Sequence, residues 1–182
     1  MCGLVGIAGN LNITSYSKVF RDLLILDTTR GMDSTGVLHV SAYTNNTILE
    51  KEIGGPTNLF KLKSKIFDRK GLVNFLGKAL IGHNRAATLG SVSVDNAHPF
   101  EFGDIIGTHN GTLSDWSELD GYKENDVDSK SIFQTIANKG IEHTWKSFIG
   151  AAALVWWNKK EDTLNSKSTK KAKIISHIKF YS

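Results

Sequence analysis

The chain has one cysteine, Cys2. A lone cysteine excludes an internal disulfide and a multi-cysteine zinc site. It fits a reducing compartment, most simply the cytoplasm. No apolar run reaches the ~18 residues that a membrane-spanning helix needs, so no membrane partner is expected. The N-terminal stretch does not read as a secretory leader. It lacks a basic lead, and Gly3, Gly6 and Gly9 interrupt a short apolar segment. Internal repeats are missing, as is any linker long enough to divide the chain. The formal net charge is +4, yet residues 159–182 hold seven lysines against Glu161 and Asp162. That end carries +5 and leaves −1 on the preceding 158 residues. The body therefore shows no basic stripe of the kind that binds nucleic acid. A lysine-rich end reads as a solvated surface before it reads as a contact for an acidic partner.

What is present is an ordinary globular composition, 40% hydrophobic and 22% charged over 182 residues. That length suits one domain with a real core. Residues 3–9 read as a short buried strand. Residues 15–29 carry Val19, Leu23, Leu24 and Leu26 at helical spacing, and a turn follows at Arg30–Gly36. Val37–Tyr43 and Thr47–Ile53 read as a hairpin with Asn45-Asn46 at its turn. Residues 56–75 are helical or irregular. Ala79–Thr88 is a strand running into a loop, and Asp104–His109 is a strand ended by Asn110-Gly111. Ser129–Ala137 reads as a helix capped by Asp128 or Ser129. Ile149–Trp157 is an apolar run suited to a central strand. Strands in groups with helices between the groups indicate α+β rather than alternating βαβ units.

Chemistry begins at Met1-Cys2-Gly3. Cysteine is small enough for the initiator methionine to be trimmed in front of it. Trimming leaves a free α-amine on the residue that carries the thiol. Such an amine has a pKa of ~7.7–8.0, so it can serve as general base for its own thiol, directly or through one water. The plainer reading is a small apolar residue in a buried strand, so the case rests on the rest of the chain.

Four further clusters supply what a thiol enzyme acting on a free amino-acid amide requires. Arg85, in His83-Asn84-Arg85-Ala86-Ala87-Thr88, can grip an α-carboxylate with two charge-assisted bonds, although a surface salt bridge is the commoner fate of a single arginine. Asn110 and the backbone N–H of Gly111 can point at one oxyanion, although Asn-Gly is also an ordinary hairpin turn. Asp128 can accept bonds from an α-ammonium, and Asp is equally a good helix cap. Arg30-Gly31-Met32-Asp33-Ser34-Thr35-Gly36 can form a fixed polar loop beside Cys2, or simply a helix end and turn. In Asn96-Ala97-His98-Pro99-Phe100, His98 is either a wall of the site or a structural histidine.

Taken in order, these segments, together with Gly150–Trp157, resemble the class II glutamine amidotransferases of the N-terminal-nucleophile type. Within that family the pattern is most similar to the glutaminase domain of glucosamine-6-phosphate synthase. The resemblance spans most of residues 1–158. It implies an αββα sandwich of two antiparallel sheets and hydrolysis of glutamine through a γ-glutamyl thioester on Cys2. It implies Cys2 as nucleophile with its α-amine as base, and Asn110 with Gly111 as oxyanion hole. Arg85 and Asp128 would hold the α-carboxylate and α-ammonium. Thr88 would line the pocket, and Arg30 would organise the loop around the cysteine. It implies neither metal nor organic cofactor.

Two departures stand out. Ala86 occupies a position where an aromatic residue usually follows the arginine, on the loop that closes over the site. Ser166–Ser182 matches nothing in the family, so the expected division is a glutaminase domain over 1–165 and a divergent, truncated or disordered basic tail over 166–182. If that tail stands in for further strands, the C-terminal part of the fold is incomplete. No recognisable synthase region follows, so a separate ammonia-accepting synthase subunit or plain glutaminase action is expected. Two other readings stay open: an inactive, partner-binding glutaminase-like module, and an N-terminal-nucleophile hydrolase of another amide.

Overall fold

The computed structural model describes residues 2–9, 13–44, 46–61, 63–74 and 76–169. Strands β1 (Gly3–Ala8), β2 (Ser34–Ser41), β3 (Thr47–Ile53) and β4 (Gly77–Arg85) form one antiparallel sheet in the order β1-β4-β2-β3. Strands β5 (Phe100–Phe102), β6 (Ile105–Asp115), β7 (Ile149–Asn158) and β8 (Thr163–Ser168) form a second, in sequence order. Helix α1 (Ile13–Leu26) covers the first sheet. Helix α2 (Asp128–Lys139), with the short α3 (Ile141–Thr144) behind it, covers the second.

Strand alternation builds the four layers. Side chains two apart share a face, so Leu38 and Val40 join Ala79 and Ile81 in one buried cluster with Ile106, Val155 and Trp157 of the opposite sheet. The intervening Val37 and Leu80 pack outward on Phe20 and Leu24 of α1. On the other side Leu113, Ala152, Leu154 and Trp156 meet Ile132, Phe133 and Ile136 of α2. Each such aliphatic or aromatic burial contributes about 1.5–3 kcal/mol before entropy is counted. The architecture is the αββα sandwich that the family resemblance implies.

Several local expectations are corrected. The helix ends at Leu26 and continues as a 3-10 turn, Asp27–Arg30. Its buried face is Tyr16, Phe20 and Leu24, whereas Val19, Leu23 and Leu26 are exposed. Strand β2 starts at Ser34, inside the segment read as a turn. Asn110-Gly111 does not end a strand. Strand β6 runs on to Asp115, because β7 pairs with it along that length. The cap of α2 is Val127, with Asp128 the first helical residue. The expected boundary at 165/166 falls inside β8, where Ser166 and Ser168 pair with Val155 and Ala153. Asn45 of the expected hairpin turn and residues 170–182 of the expected tail lie outside the described residues.

Candidate active site

The register of β1 on β4 decides where Cys2 sits. Gly3 lies opposite Asn84 and Leu4 opposite His83, so the residue before β1 meets the chain as it leaves β4. There the Ala86 N–H donates to the Cys2 sulfur at 3.4 Å, and the thiol faces the Ala86 carbonyl at 3.5 Å. Arg30 donates from Nε to the Cys2 carbonyl at 2.9 Å. The approach is close enough to require glycine. A Cβ on Gly3 would stand 1.7 Å from an Asp27 carboxylate oxygen, and one on Gly31 would stand 2.5 Å from the Ala86 nitrogen. Asp33 completes the floor. Its N–H donates to the Arg85 carbonyl at 2.9 Å, and its carboxylate accepts the Ala87 N–H at 2.7 Å.

Alternation then brings the other groups to the same end of the sandwich. His83 and Arg85 share a face with Ala79 and Ile81, and Asn110 shares one with Ile106; both faces look into the space between the sheets. Asn84, of opposite parity, donates instead to the Leu24 carbonyl of α1 at 2.7 Å. Asn110 is half-buried, and among the described residues its amide has no hydrogen-bond partner. Gly111 must be small, since a Cβ there would stand 2.0 Å from the Ala151 carbonyl oxygen.

Arg85 is buried, and its two Nη groups donate to the carbonyls of Leu89 and Ser91, the latter at 2.9 Å. Those bonds use two of the five guanidinium donors and fold residues 86–91 over the end of β4. Thr88 lies on that segment and is exposed. Asp128 is also buried. One of its oxygens accepts the Leu113 N–H of β6 at 3.1 Å and the other accepts the Ser129 hydroxyl at 3.2 Å. Its carboxylate therefore ties α2 to β6 rather than capping the helix.

His98 does not open onto solvent. It is buried, its ring centroid lies 4.0 Å from that of His83, and among the described residues neither of its ring nitrogens has a hydrogen-bond partner. The structure also joins residues to which the sequence assigned no role. His83 Nε2 meets the His109 carbonyl at 3.1 Å, and His109 Nδ1 meets the Ser129 hydroxyl at 2.9 Å. Strand parity was the available signal for His83.

Electrostatics couple Cys2 to Arg85 and Asp128. Burial pushes the Cys2 thiol above its ordinary pKa. The Ala86 N–H and the Arg85 charge pull it back down, while the Asp128 charge adds to the rise. Two surface hollows, one lined by His39, Tyr43 and Leu76 and the other by Phe102, Gln134 and Lys160, lie away from Cys2. Among the described residues no group of His, Cys, Asp and Glu is placed to hold a metal ion, and no helix is long and apolar enough to cross a membrane.

No family model matches the chain, but individual proteins do. It is 33% identical over 139 residues to a glutamine–fructose-6-phosphate aminotransferase (isomerizing) of Francisella tularensis, covering 72% of this chain and 21% of that protein. It is 33% identical over 122 residues to the amidophosphoribosyltransferase of Escherichia coli K12, covering 65% of this chain and 22% of that one. The chain thus spans about a fifth of the length of these curated relatives. Among solved structures, the glutamine phosphoribosylpyrophosphate amidotransferase of B. subtilis superposes with a TM-score of 0.63 at 19% identity, over 87% of this chain and 35% of that one. Sequence kinship to two different amidotransferases makes the chain a member of the class II, N-terminal-nucleophile glutamine amidotransferase family.

Proposed function

We propose that the chain hydrolyses the side-chain amide of glutamine, with Cys2 as nucleophile once Met1 has been removed. The observation that carries this reading is the placement of the Cys2 thiol on the Ala86 backbone, where the charges of Arg85 and Asp128 both act on it. Burial keeps that thiol protonated near neutral pH, so it needs a base at hand. The α-amine of the trimmed chain is that base. It takes the thiol proton as sulfur attacks the amide carbon. The Asn110 amide and Gly111 N–H receive the oxyanion. The ammonium then returns its proton to the leaving nitrogen, ammonia departs, and water cleaves the thioester to glutamate.

Arg85 holds the substrate α-carboxylate with the donors not committed to Leu89 and Ser91, and Asp128 accepts bonds from the α-ammonium. A free amino acid thereby binds at both ends, which sets glutamine apart from other amides. Thr88 lines the mouth of the pocket, and His98 supports the site from behind His83. Neither a metal nor an organic cofactor enters this scheme. The ammonia passes to a separate synthase subunit or is released; with Ala86 in place of an aromatic residue, the loop closes less tightly over it. A reducing compartment, the cytoplasm, keeps the single thiol free.

The alternative, an inactive binding module, draws on two specific features: the upward shift of the thiol pKa and the engagement of both Arg85 Nη groups. Ammonia release from glutamine by the wild type and by Cys2→Ala, with intact-mass analysis of the mature N-terminus, separates the two. The proposal expects loss of Met1 and release that disappears in Cys2→Ala. Retained Met1 with no release establishes the module instead.

A further inference from the structure

Behind Asp128 runs a buried polar chain of His83, His109 and Ser129, to which the reaction scheme gives no step. His83 of β4 donates from Nε2 to the His109 carbonyl of β6 at 3.1 Å, which joins the two sheets. His109 Nδ1 lies 2.9 Å from the Ser129 hydroxyl, which lies 3.2 Å from Asp128 Oδ1. His109, Ser129 and Asp128 are at most 5% exposed, so water does not compete for these bonds.

The hydrogens are assigned from donor capacity together with the absence of any hydrogen-bond partner for His109 Nε2 among the described residues. An ionised carboxylate only accepts, so the Ser129 hydrogen is committed to Asp128. The Ser129 oxygen must then accept from His109, which therefore carries its proton on Nδ1. A carbonyl also only accepts, so His83 carries its proton on Nε2. Burial holds His109 below its ordinary pKa against the opposing pull of Asp128, which leaves the ring neutral. That matters because His109 Nδ1 is 3.9 Å from Asp128 Oδ1. A charged imidazole there would be a built-in counter-ion competing with any ammonium ligand.

We infer that His109 and Ser129 are positioning residues for Asp128: they fix its carboxylate without neutralising it, and so set the preference for an amide substrate that carries an α-ammonium. The inference rests on the glutaminase reading above. His109 adjoins Asn110 in the chain, so the same stretch of β6 sets both the ammonium anchor and the oxyanion donor, at a fixed separation.

The test compares glutamine with glutaramate, which is glutamine without its α-amino group. The measurement is the ratio of kcat/KM for the two substrates in the full chain, its Ser129→Ala and its Ser129→Thr variants. Ser129→Ala is expected to lower the glutamine preference about tenfold, chiefly through KM for glutamine. Ser129→Thr, which keeps the hydroxyl, is expected to restore it. An equal loss on both substrates means a merely structural role and overturns the inference, as does an unchanged ratio. Nitrogen-15 ring spectra of the wild type decide independently of turnover and of whether a variant folds. A neutral Nδ1–H tautomer at His109 is expected at neutral pH, and an Nε2–H tautomer or an imidazolium overturns the relay. If the wild type releases no ammonia from glutamine, the glutaminase reading fails and these spectra still judge the geometry.

Discussion

The Cys2 sulfur accepts a hydrogen bond from the Ala86 amide at 3.4 Å, so the proposed nucleophile is held by the residue that follows Arg85. That bond favours the thiolate, but burial is the larger influence and leaves the thiol pKa raised. Alkylation by iodoacetamide, followed against pH, should therefore show a midpoint above the ~8.5 of an unperturbed thiol. At pH 7.5 the folded chain should react more slowly than the chain in denaturant. A midpoint well below neutrality would mean a pre-formed thiolate, and the need for an α-amine base would vanish.

Arg85 performs two tasks that a lysine cannot combine. It bridges the carbonyls of Leu89 and Ser91, and in the proposed scheme its remaining donors hold the substrate carboxylate. In Arg85→Lys the charge stays but the fork is lost. A charge-assisted bond is worth about 1.5–3 kcal/mol, so KM for glutamine should rise at least about tenfold, with a smaller change in kcat. Hydrogen exchange over residues 87–91 should quicken as well. An unaltered KM would remove Arg85 from substrate binding and leave it a loop anchor.

Much of the framework was legible because alternation and apolar runs are local. Thr47–Ile53 and the central β7 lie where the residue pattern puts them. The misread places are those where a neighbour overrides a local rule. Asn110-Gly111 has the chemistry of a turn, yet β7 offers partners beyond it and the strand continues. The three residues of β5 are too few to show a period. Asp128 has the chemistry of a cap, but the Leu113 amide and the Ser129 hydroxyl claim its oxygens. The shared inward face of Cys2, Arg85 and Asn110 was in principle readable from parity. It required knowing which face was inward, and that is set by the packing of the two sheets.

Helix α1 shows the same limit and gives a direct test. Val19, Leu23 and Leu26 form as regular an apolar stripe as Tyr16, Phe20 and Leu24, but only the second stripe meets the sheet. Leu24→Ala should cost about 2–5 kcal/mol in denaturant unfolding. Leu23→Ala should fall within about 0.5 kcal/mol of wild type. Comparable costs at the two positions would mean that the helix is rotated about its axis relative to the structure described.

Acid stability is the remaining consequence of the buried histidines. Burial pushes His83 down to about 3 and holds His98 and His109 below the ordinary value. In the unfolded chain each titrates near ~6.5. Between the folded and unfolded values the unfolded chain binds more protons, so stability rises with pH through that window. For His83 the contribution is complete above about pH 6.5 and is lost as the pH falls toward 3, by up to about 1.4 kcal/mol per pH unit, and His98 and His109 act in the same direction. His98 isolates the effect, because its ring nitrogens have no hydrogen-bond partner among the described residues and leucine fills a similar volume. His98→Leu should match the wild-type Tm near pH 7.5 and exceed it at pH 5, with the difference widening as the pH falls. Parallel Tm curves over that range would mean that His98 is already free to take up a proton in the folded chain, and that the wall behind His83 is open to water.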